Sequence, residues 1–390
     1  MTRRLVHVTT TDMSLELLLG PQLSAFVAAG YEVYAASAAG RYVDAVEARG
    51  VHHVPLVHAT RSMAPHHDLA ALFELRRAFH TLQPDIVHTH NPKPGVYGRL
   101  AARAARVPAI VNTVHGLYAT PDDTLAKRAV VYSLERLAAA VSDAELVQNA
   151  EDIPTLRSLG IPPRKLTLLG NGVDLTRFRP DSITASRRAE LRAEWDVGPD
   201  DIVCGAVGRL VWEKGYRELF DAAARLRDHQ PRIRFVVVGG LDEAKADQLS
   251  QSDVDAVAAR ANITFLGLRD DVEDLYAAMD LYVLASHREG FPRSAMEAAA
   301  TGLPIVATNI RGCRQVVDDG TTGTLIPPHD AAALAQAIAS IAVDAGKRSA
   351  MGRAAIAKAL AEFDDRRIVQ TTLATYDRVL ATTSRRGVRQ

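Results

Sequence analysis

The stretch DIVCGAVGRLVWEKGY, residues 201–216, decides the reading of the fold. A short apolar run ends at Gly208, and Arg209 and Lys214 follow at once in a loop closed by Gly215. The run is continuous rather than alternating, the pattern of a parallel strand covered on both faces. A helical pattern over 216–227 comes next. Working outward, the same unit recurs. Towards the C terminus comparable runs stand at 232–239, 262–268, 281–286, 303–308 and 323–328. Towards the N terminus they stand at 3–9, 32–37, 52–57, 85–90, 109–114, 144–149 and 165–170. Helical patterns such as 98–105 fill most gaps. Strand, helix, strand repeated down a chain predicts an α/β protein with parallel sheets.

The rhythm breaks at RFRPDSITASRRAELRAEWDVGPDD, 177–201, which is polar, carries two prolines and has no strand pattern. Single cores stop growing near ~250–300 residues, and this chain has 390. Two doubly wound, Rossmann-like domains are therefore expected, at 1–180 and 181–370, with 371–390 as the end of a C-terminal helix and a polar tail. Open parallel sheets bind ligands outside the carboxyl ends of their strands. Two such domains facing each other would form a cleft, so residues just after the strands are the candidates.

Composition narrows the partners. Lys plus Arg and Asp plus Glu both total 46, and a formal net charge of zero argues against nucleic acid as the main partner. Cys204 and Cys313 form no CxxC or zinc spacing and no disulfide framework, which fits a reducing, cytoplasmic compartment. The N-terminal apolar run is too short for a signal-peptide core, and no run reaches the ~18 apolar residues of a membrane span. Peripheral contact with the inner face of a membrane stays open. TLAKRAVVYSLERLAAAV, 124–141, is basic and amphipathic and reads either as a lipid-surface helix or as a helix packed in its domain.

EGFPRSAME, 289–297, places two carboxylates around a glycine and a proline. Pro292 suits a first helical turn and Gly302 a C-terminal cap, so a helix over roughly 292–300 is expected. Glu289 then lies in the loop before the helix and Glu297 inside it. Gly290 permits close backbone approach to a ligand. The helix N terminus favours an anion, while the two glutamates can accept hydrogen bonds from hydroxyls at two ends of one ligand, such as a sugar. Eight helical residues span roughly 12 Å, against the ~5–9.5 Å between glycosidase carboxyls, which disfavours a glycosidase. An ordinary loop glutamate and a helix-surface glutamate are the alternative. Arg209 and Lys214 suit a diphosphate, or are two solvated bases. GxxxxGK[ST], GxGxxG and GxSxG are all missing, which disfavours a P-loop, a nicotinamide cofactor and acyl transfer. Gly239 and Gly240 read as a tight turn.

His88 and His90 stand at i and i+2 in HTHNPKPG, with no obvious carboxylate to complete a metal site, so a cleft-lining or structural role is expected. His115 follows another strand and can donate a hydrogen bond to a substrate hydroxyl or phosphate, or pack at a domain edge. LGNGVDLTRF, 169–178, reads as a hinge-side loop near the end of the first domain.

Taken together, these residues make the chain similar to family 4 glycosyltransferases of the GT-B fold, along nearly its whole length. The resemblance rests on GRLVWEKG, on FLGLRDDVEDLYAAMDLYVLAS, on Glu289 and Glu297 followed by AAATGLPIVAT, on GTLIPP and on LGNGVD. HTHNPKPGVYGRLAARAARVPAIVNTVHG resembles bacterial enzymes of capsule, exopolysaccharide and lipid-linked glycan assembly. The resemblance implies two Rossmann-like domains facing across a cleft. It also implies retaining transfer from a nucleotide diphospho-sugar, here a UDP-sugar of N-acetylhexosamine or hexose, with no metal and no cofactor. The acceptor would be a glycan, a lipid-linked glycan or a small molecule. Arg209 and Lys214 match the residues that hold the diphosphate, and Glu297 the one that binds ribose. Glu289 matches the residue near the donor sugar, His115 the one beside the transferred sugar. Gly290, Phe291 and Pro292 match a loop touching sugar and phosphate, and Leu268 and Arg269 fall where backbone contacts the base. Where many relatives carry Gly-Gly, this chain has Thr10, Thr11, Asp12 and Ser14. Asp12, Ser14 and His90 are therefore the acceptor-side candidates. A non-hydrolysing UDP-N-acetylglucosamine 2-epimerase-like enzyme and a non-catalytic nucleotide-sugar-binding module are the competing readings.

Overall fold

The computed structural model describes residues 2–387 apart from 61–63, 91, 120–122 and 242–246. All the apolar runs become strands. In the N-terminal half these are β1 (Arg4–Thr11), β2 (Glu32–Ala38), β3 (His52–Pro55), β4 (Ile86–His90), β5 (Ala109–Val114), β6 (Ala144–Val147) and β7 (Leu166–Leu168). The C-terminal half supplies β8 (Ile202–Val207), β9 (Ile233–Val238), β10 (Ile263–Gly267), β11 (Leu281–Leu284), β12 (Ile305–Thr308) and β13 (Gly323–Ile326).

They form two sheets, ordered β3-β2-β1-β4-β5-β6-β7 and β10-β9-β8-β11-β12-β13. Every pairing between these strands is parallel, for example Leu5 with both Val33 and Ile86. In each sheet the strand order reverses beside the first strand of the half, β1 or β8, which creates the switch point where doubly wound sheets bind ligands. The central strands are apolar on both faces because helices cover both. Leu5, Val33 and Val111 pack on one side of the first sheet with Phe26 and Tyr376, and Val6, Val8 and Val87 pack on the other with Leu75 and Phe79.

The chain divides into two compact units, residues 1–170 with 365–390, and residues 171–364. This differs from the boundaries expected at 180 and 370. Val173 and Phe178 are buried with Trp195 and Tyr276 in the second unit's core, and Val173 N–H donates to Phe363 O at 2.9 Å. LGNGVDLTRF therefore enters the second unit at Asn171 instead of closing the first. The helix Asp365–Gly387 returns to the first unit, where Ile368, Tyr376 and Val379 join the core. Its apolar stripe, interleaved with charges, looks like a tail in sequence and is a covering helix in structure.

The helix Leu125–Val141 buries little beyond Ala138 and Ala139, while Leu125, Val130, Leu134 and Leu137 are exposed. Among the described residues no helix is long and apolar enough to cross a membrane.

Candidate active site

In the second unit the site is built at the carboxyl ends of β8 and β11, which lie side by side. Arg209 is exposed immediately past β8. A tight turn over Trp212–Lys214 follows, and Gly215 has φ +74. A Cβ on Gly215 would fall 1.9 Å from Ala285 O. Only glycine allows this approach, and it sets Lys214 beside the segment after β11. Lys214 Nζ lies 2.6 Å from Glu289 Oε1, and Ser286 Oγ donates to the same oxygen at 2.7 Å. Gly312 closes the back of this loop, since a Cβ there would lie 2.6 Å from Glu289 O. Glu289 is thus fixed from three directions rather than being a loose loop carboxylate.

Glu297 sits in the helix Arg293–Ala300, one residue later in start than expected, with Pro292 as its N-cap. Proline has no side chain that can cap, so no side-chain cap bond is made there. Glu297 is mostly buried. Its Oε2 is 3.1 Å from Tyr276 Oη, and its Oε1 is 3.3 Å from Arg293 Nε. Burial pushes its pKa above the ordinary carboxylate value, with Arg293, Tyr276 and Arg177 pulling the other way. Glu297 is thus a mostly buried carboxylate lying between one phenol and the Arg293 guanidinium.

The remaining second-unit candidates flank these two glutamates. Phe291 O accepts a hydrogen bond from Asn171 Nδ2 at 3.2 Å, and the Phe291 ring meets Phe363 edge-on at 6.0 Å. Gly290 and Pro292 complete that loop. Gly239, with φ +149, packs against Gly208 O, where a Cβ would be only 1.9 Å away, and Gly240 lies against exposed Leu268. The glycine pair is therefore required by close backbone approach and leaves bare backbone between Gly208 and Leu268. Arg269 is committed to acids, 2.7 Å from Asp271 and 2.6 Å from Glu194. Its side chain belongs to this surface network.

The first unit holds the other candidates. His115, past β5, places Nδ1 3.2 Å from Gln148 Oε1 and Nε2 3.1 Å from His90 Nδ1. His90 Nε2 is in turn 2.9 Å from His7 Nδ1. Burial lowers the pKa of His115 to about 4 and that of His7 to about 3. His7 supplies a third imidazole near His88 and His90. The ring nitrogens of His88 are already engaged, by Tyr376 Oη at 2.5 Å and Thr113 Oγ1 at 2.7 Å. His90 is thus a buried support for His115 rather than a surface acceptor contact. Asp12, expected on the acceptor side, is likewise taken up by contacts within its own unit. Its two oxygens accept from Met13 N at 2.8 Å and Tyr42 N at 2.7 Å, and it presses on Gly40. It ties the loop after β2 to the end of β1, and so is spent structurally. Ser14 is half-buried, with Oγ 3.3 Å from Thr11 Oγ1.

Ser286, Tyr276, Asn171, His7 and Gln148 were not singled out in the sequence. Ser286 was within reach, as the last residue of the strand run LYVLAS. The others carry no local pattern and are found only when distant segments meet.

Residues 187–358 match the family described as "Glycosyl transferases group 1", and residues 22–177 match "Glycosyltransferase Family 4". The putative glycosyltransferase EpsD of Bacillus subtilis is 30% identical over 341 residues, covering 87% of each chain. The chain belongs to the family 4 glycosyltransferases. Another relative of this glycosyltransferase is the Campylobacter jejuni N,N'-diacetylbacillosaminyl-diphospho-undecaprenol alpha-1,3-N-acetylgalactosaminyltransferase. It is 28% identical, over 82% of this chain and 84% of its own. Among solved structures, Anabaena HepE in complex with UDP and glucose superposes with a TM-score of 0.81 at 22% identity, over 96% of this chain and 99% of that one. That likeness shows the GT-B fold.

Proposed function

We propose that this glycosyltransferase moves a sugar, N-acetylhexosamine or hexose, from a UDP-sugar to a hydroxyl of a glycan, lipid-linked or small-molecule acceptor, with retention and without a metal. The observation that carries this reading is the Lys214–Glu289 pair at 2.6 Å, set at the switch point of the second sheet. One cation and one carboxylate, adjacent and fixed, fit a ligand with a diphosphate joined to a sugar. In this reading Lys214 and Arg209 take the diphosphate, Glu289 takes sugar hydroxyls, and Glu297 takes the ribose. Gly290, Phe291 and Pro292 offer backbone to sugar and phosphate, and the 239–240 backbone with Leu268 and Arg269 receives the base.

In the transfer, the bond from the anomeric carbon to the diphosphate oxygen breaks and its electron pair leaves with UDP. The acceptor oxygen bonds to the anomeric carbon on the same face, and its proton passes to the departing phosphate. Positive charge on the anomeric carbon and negative charge on the leaving group grow together. Fixed cations at the leaving group lower that barrier. His115 stands for the residue beside the transferred sugar, held by Gln148 and His90.

Two of the similar proteins support the substrate classes. The Campylobacter relative's name carries a diphospho-undecaprenol acceptor, and the HepE structure holds UDP. The exposed Leu125, Val130, Leu134 and Leu137, with Arg136 exposed beside them, support a peripheral lipid contact at the cytoplasmic face of a membrane.

Calorimetry across UDP-, GDP- and ADP-sugars with chelator present tests the donor. One UDP-sugar should bind, and the anomeric configuration of the product, read by NMR, should match the donor's. Binding of a GDP- or ADP-sugar alone would reject the UDP assignment, and an inverted product would reject retention.

A further inference from the structure

A second cluster of chemistry-bearing side chains lies in the same unit, outside the donor residues. It consists of Glu218, in the first turn of the helix Tyr216–Arg227, His287 just past β11, and His329 just past β13. Three segments far apart in sequence bring one carboxylate and two imidazoles to one point. Their ligand atoms all lie within 4.8 Å of one another. His287 Nε2 is 3.1 Å and His329 Nδ1 3.3 Å from Glu218 Oε1.

A network of hydrogen bonds alone does not account for the cluster. Glu218 Oε2 and His287 Nε2 are both buried with no hydrogen bond of acceptable geometry. Buried polar atoms are normally paired, yet Glu218 Oε2 has no hydrogen bond and His287 Nε2 has only its 3.1 Å ion-pair contact with Oε1, so the cluster has capacity for a further partner. A single divalent cation held by both oxygens of Glu218 and by His287 Nε2 would satisfy both at once. In a tetrahedral zinc site, bonds of about 2.0–2.2 Å put neighbouring ligand atoms roughly 3.3 Å apart. The two separations from Glu218 Oε1 are 3.1 and 3.3 Å. The His287 and His329 rings are 3.9 Å apart between centroids, and His329 is 64% exposed, so its ring can turn towards a shared ion.

His329 has φ +61, in the left-handed region where glycine is the unstrained residue.

We propose that Glu218, His287 and His329 form a three-ligand site for a borderline divalent cation of the Zn2+ class, with water completing the coordination. The cation has no part in the transfer chemistry, and the site does not depend on the donor assignment above. Its place in the fold gives it leverage. His287 N–H donates to Glu213 O at 2.9 Å, so the ion would brace the segment carrying Glu289 against the turn carrying Lys214.

The full chain, stripped of metal and dialysed against buffered Zn2+, should bind one equivalent. Co2+ in its place should give the visible absorption of a low-coordinate nitrogen–oxygen site. His329→Gly is the decisive variant, because glycine suits φ +61 and the thermal midpoint should hold or rise. Its Zn2+ affinity should fall at least about tenfold, with loss of the Co2+ band. Glu218→Gln should do the same. Failure of the wild type to take up stoichiometric Zn2+ would overturn the site. So would unchanged affinity in His329→Gly, which would place any binding elsewhere, for example at the buried histidines of the first unit.

Discussion

Lys214 Nζ lies 2.6 Å from Glu289 Oε1. The two side chains proposed to take the diphosphate and the sugar hydroxyls of a donor are thus each other's partner, and altering either removes a contact of the other. Lys214→Ala and Glu289→Ala should each lower kcat/KM by about 10²–10³-fold, or roughly 2.7–4 kcal/mol. The double variant should fall well short of the product of the two. Steady-state kinetics on the four proteins measures the coupling, and strict additivity would mean that the pair has no joint role. Lys214→Arg should recover only part of the loss, because a planar fork cannot occupy the point position of an ammonium.

Glu297 shows the opposite relation between stability and use. Its folded pKa is raised by burial, so the folded state holds this proton more tightly than the unfolded chain does. Stability is then greatest below the ordinary carboxylate pKa, declines as pH rises through the folded value, and carries the full penalty at neutral pH. Glu297→Gln removes that penalty while keeping the shape. The prediction is a higher thermal midpoint at pH 7.5, together with UDP affinity lowered by about 1.5–3 kcal/mol through loss of hydrogen bonds to a charged group. Calorimetry and a thermal melt on the same sample test both. A variant that is less stable and binds UDP normally would remove Glu297 from the donor site.

The positions of the strands along the chain and of the second-unit loops were legible because they depend on local patterns. Continuous apolar runs ending in glycine mark buried parallel strands, and Gly208, Gly215 and Gly239 mark where backbones meet. The relation of Glu289 to Lys214 is not local, since it needs two strands to become neighbours. The same holds for Tyr276 over Glu297 and for Asn171 at Phe291 O. Asp12 was misread for a related reason. A carboxylate after a strand looks like a ligand group, but its partners are the amides of Met13 and Tyr42, and the latter lies in a loop that the sequence does not place. The unit boundary shifted because Val173 and Phe178 are few among polar neighbours, yet are buried in the second core.

Arg99 provides a stability test in the first unit. Its guanidinium is wholly buried, 2.8 Å from Glu145 Oε1 and 2.9 Å from Glu135 Oε1, and Asn112 Nδ2 donates to Glu145 Oε2 at 2.8 Å. Ion pairs buried this deeply add little over apolar packing, but removing one partner strands the other. Arg99→Met should destabilise the first unit by about 3–5 kcal/mol in urea denaturation. Adding Glu145→Gln should restore part of that loss. If the double variant is the weaker protein, the buried carboxylate is supported by Asn112 and its other neighbours rather than by Arg99.

The imidazole chain His7–His90–His115 makes stability depend on acid. Gln148 Oε1 can only accept, so His115 carries its proton on Nδ1 and accepts at Nε2 from His90 Nδ1–H, and His90 Nε2 accepts from His7 Nδ1–H. A proton added to His115 or His90 would set two donors face to face. Burial lowers His7 to about 3 and His115 to about 4, and puts His88 and His90 well below the ordinary value. Unfolded histidine titrates near ~6.5. Between that value and the folded ones the unfolded chain binds protons that the folded chain refuses, so stability rises with pH there. It is fully present above the unfolded value and is lost as pH falls towards the folded ones, at up to about 1.4 kcal/mol per pH unit for each histidine. Urea midpoints measured from pH 7.5 to 5 should fall for the first unit, and His7→Phe, which keeps a ring stacked on Phe26, should make the fall shallower by about one proton. A midpoint unchanged over that range would mean that the buried histidines bind protons in the folded state, and the tautomer chain would have to be abandoned.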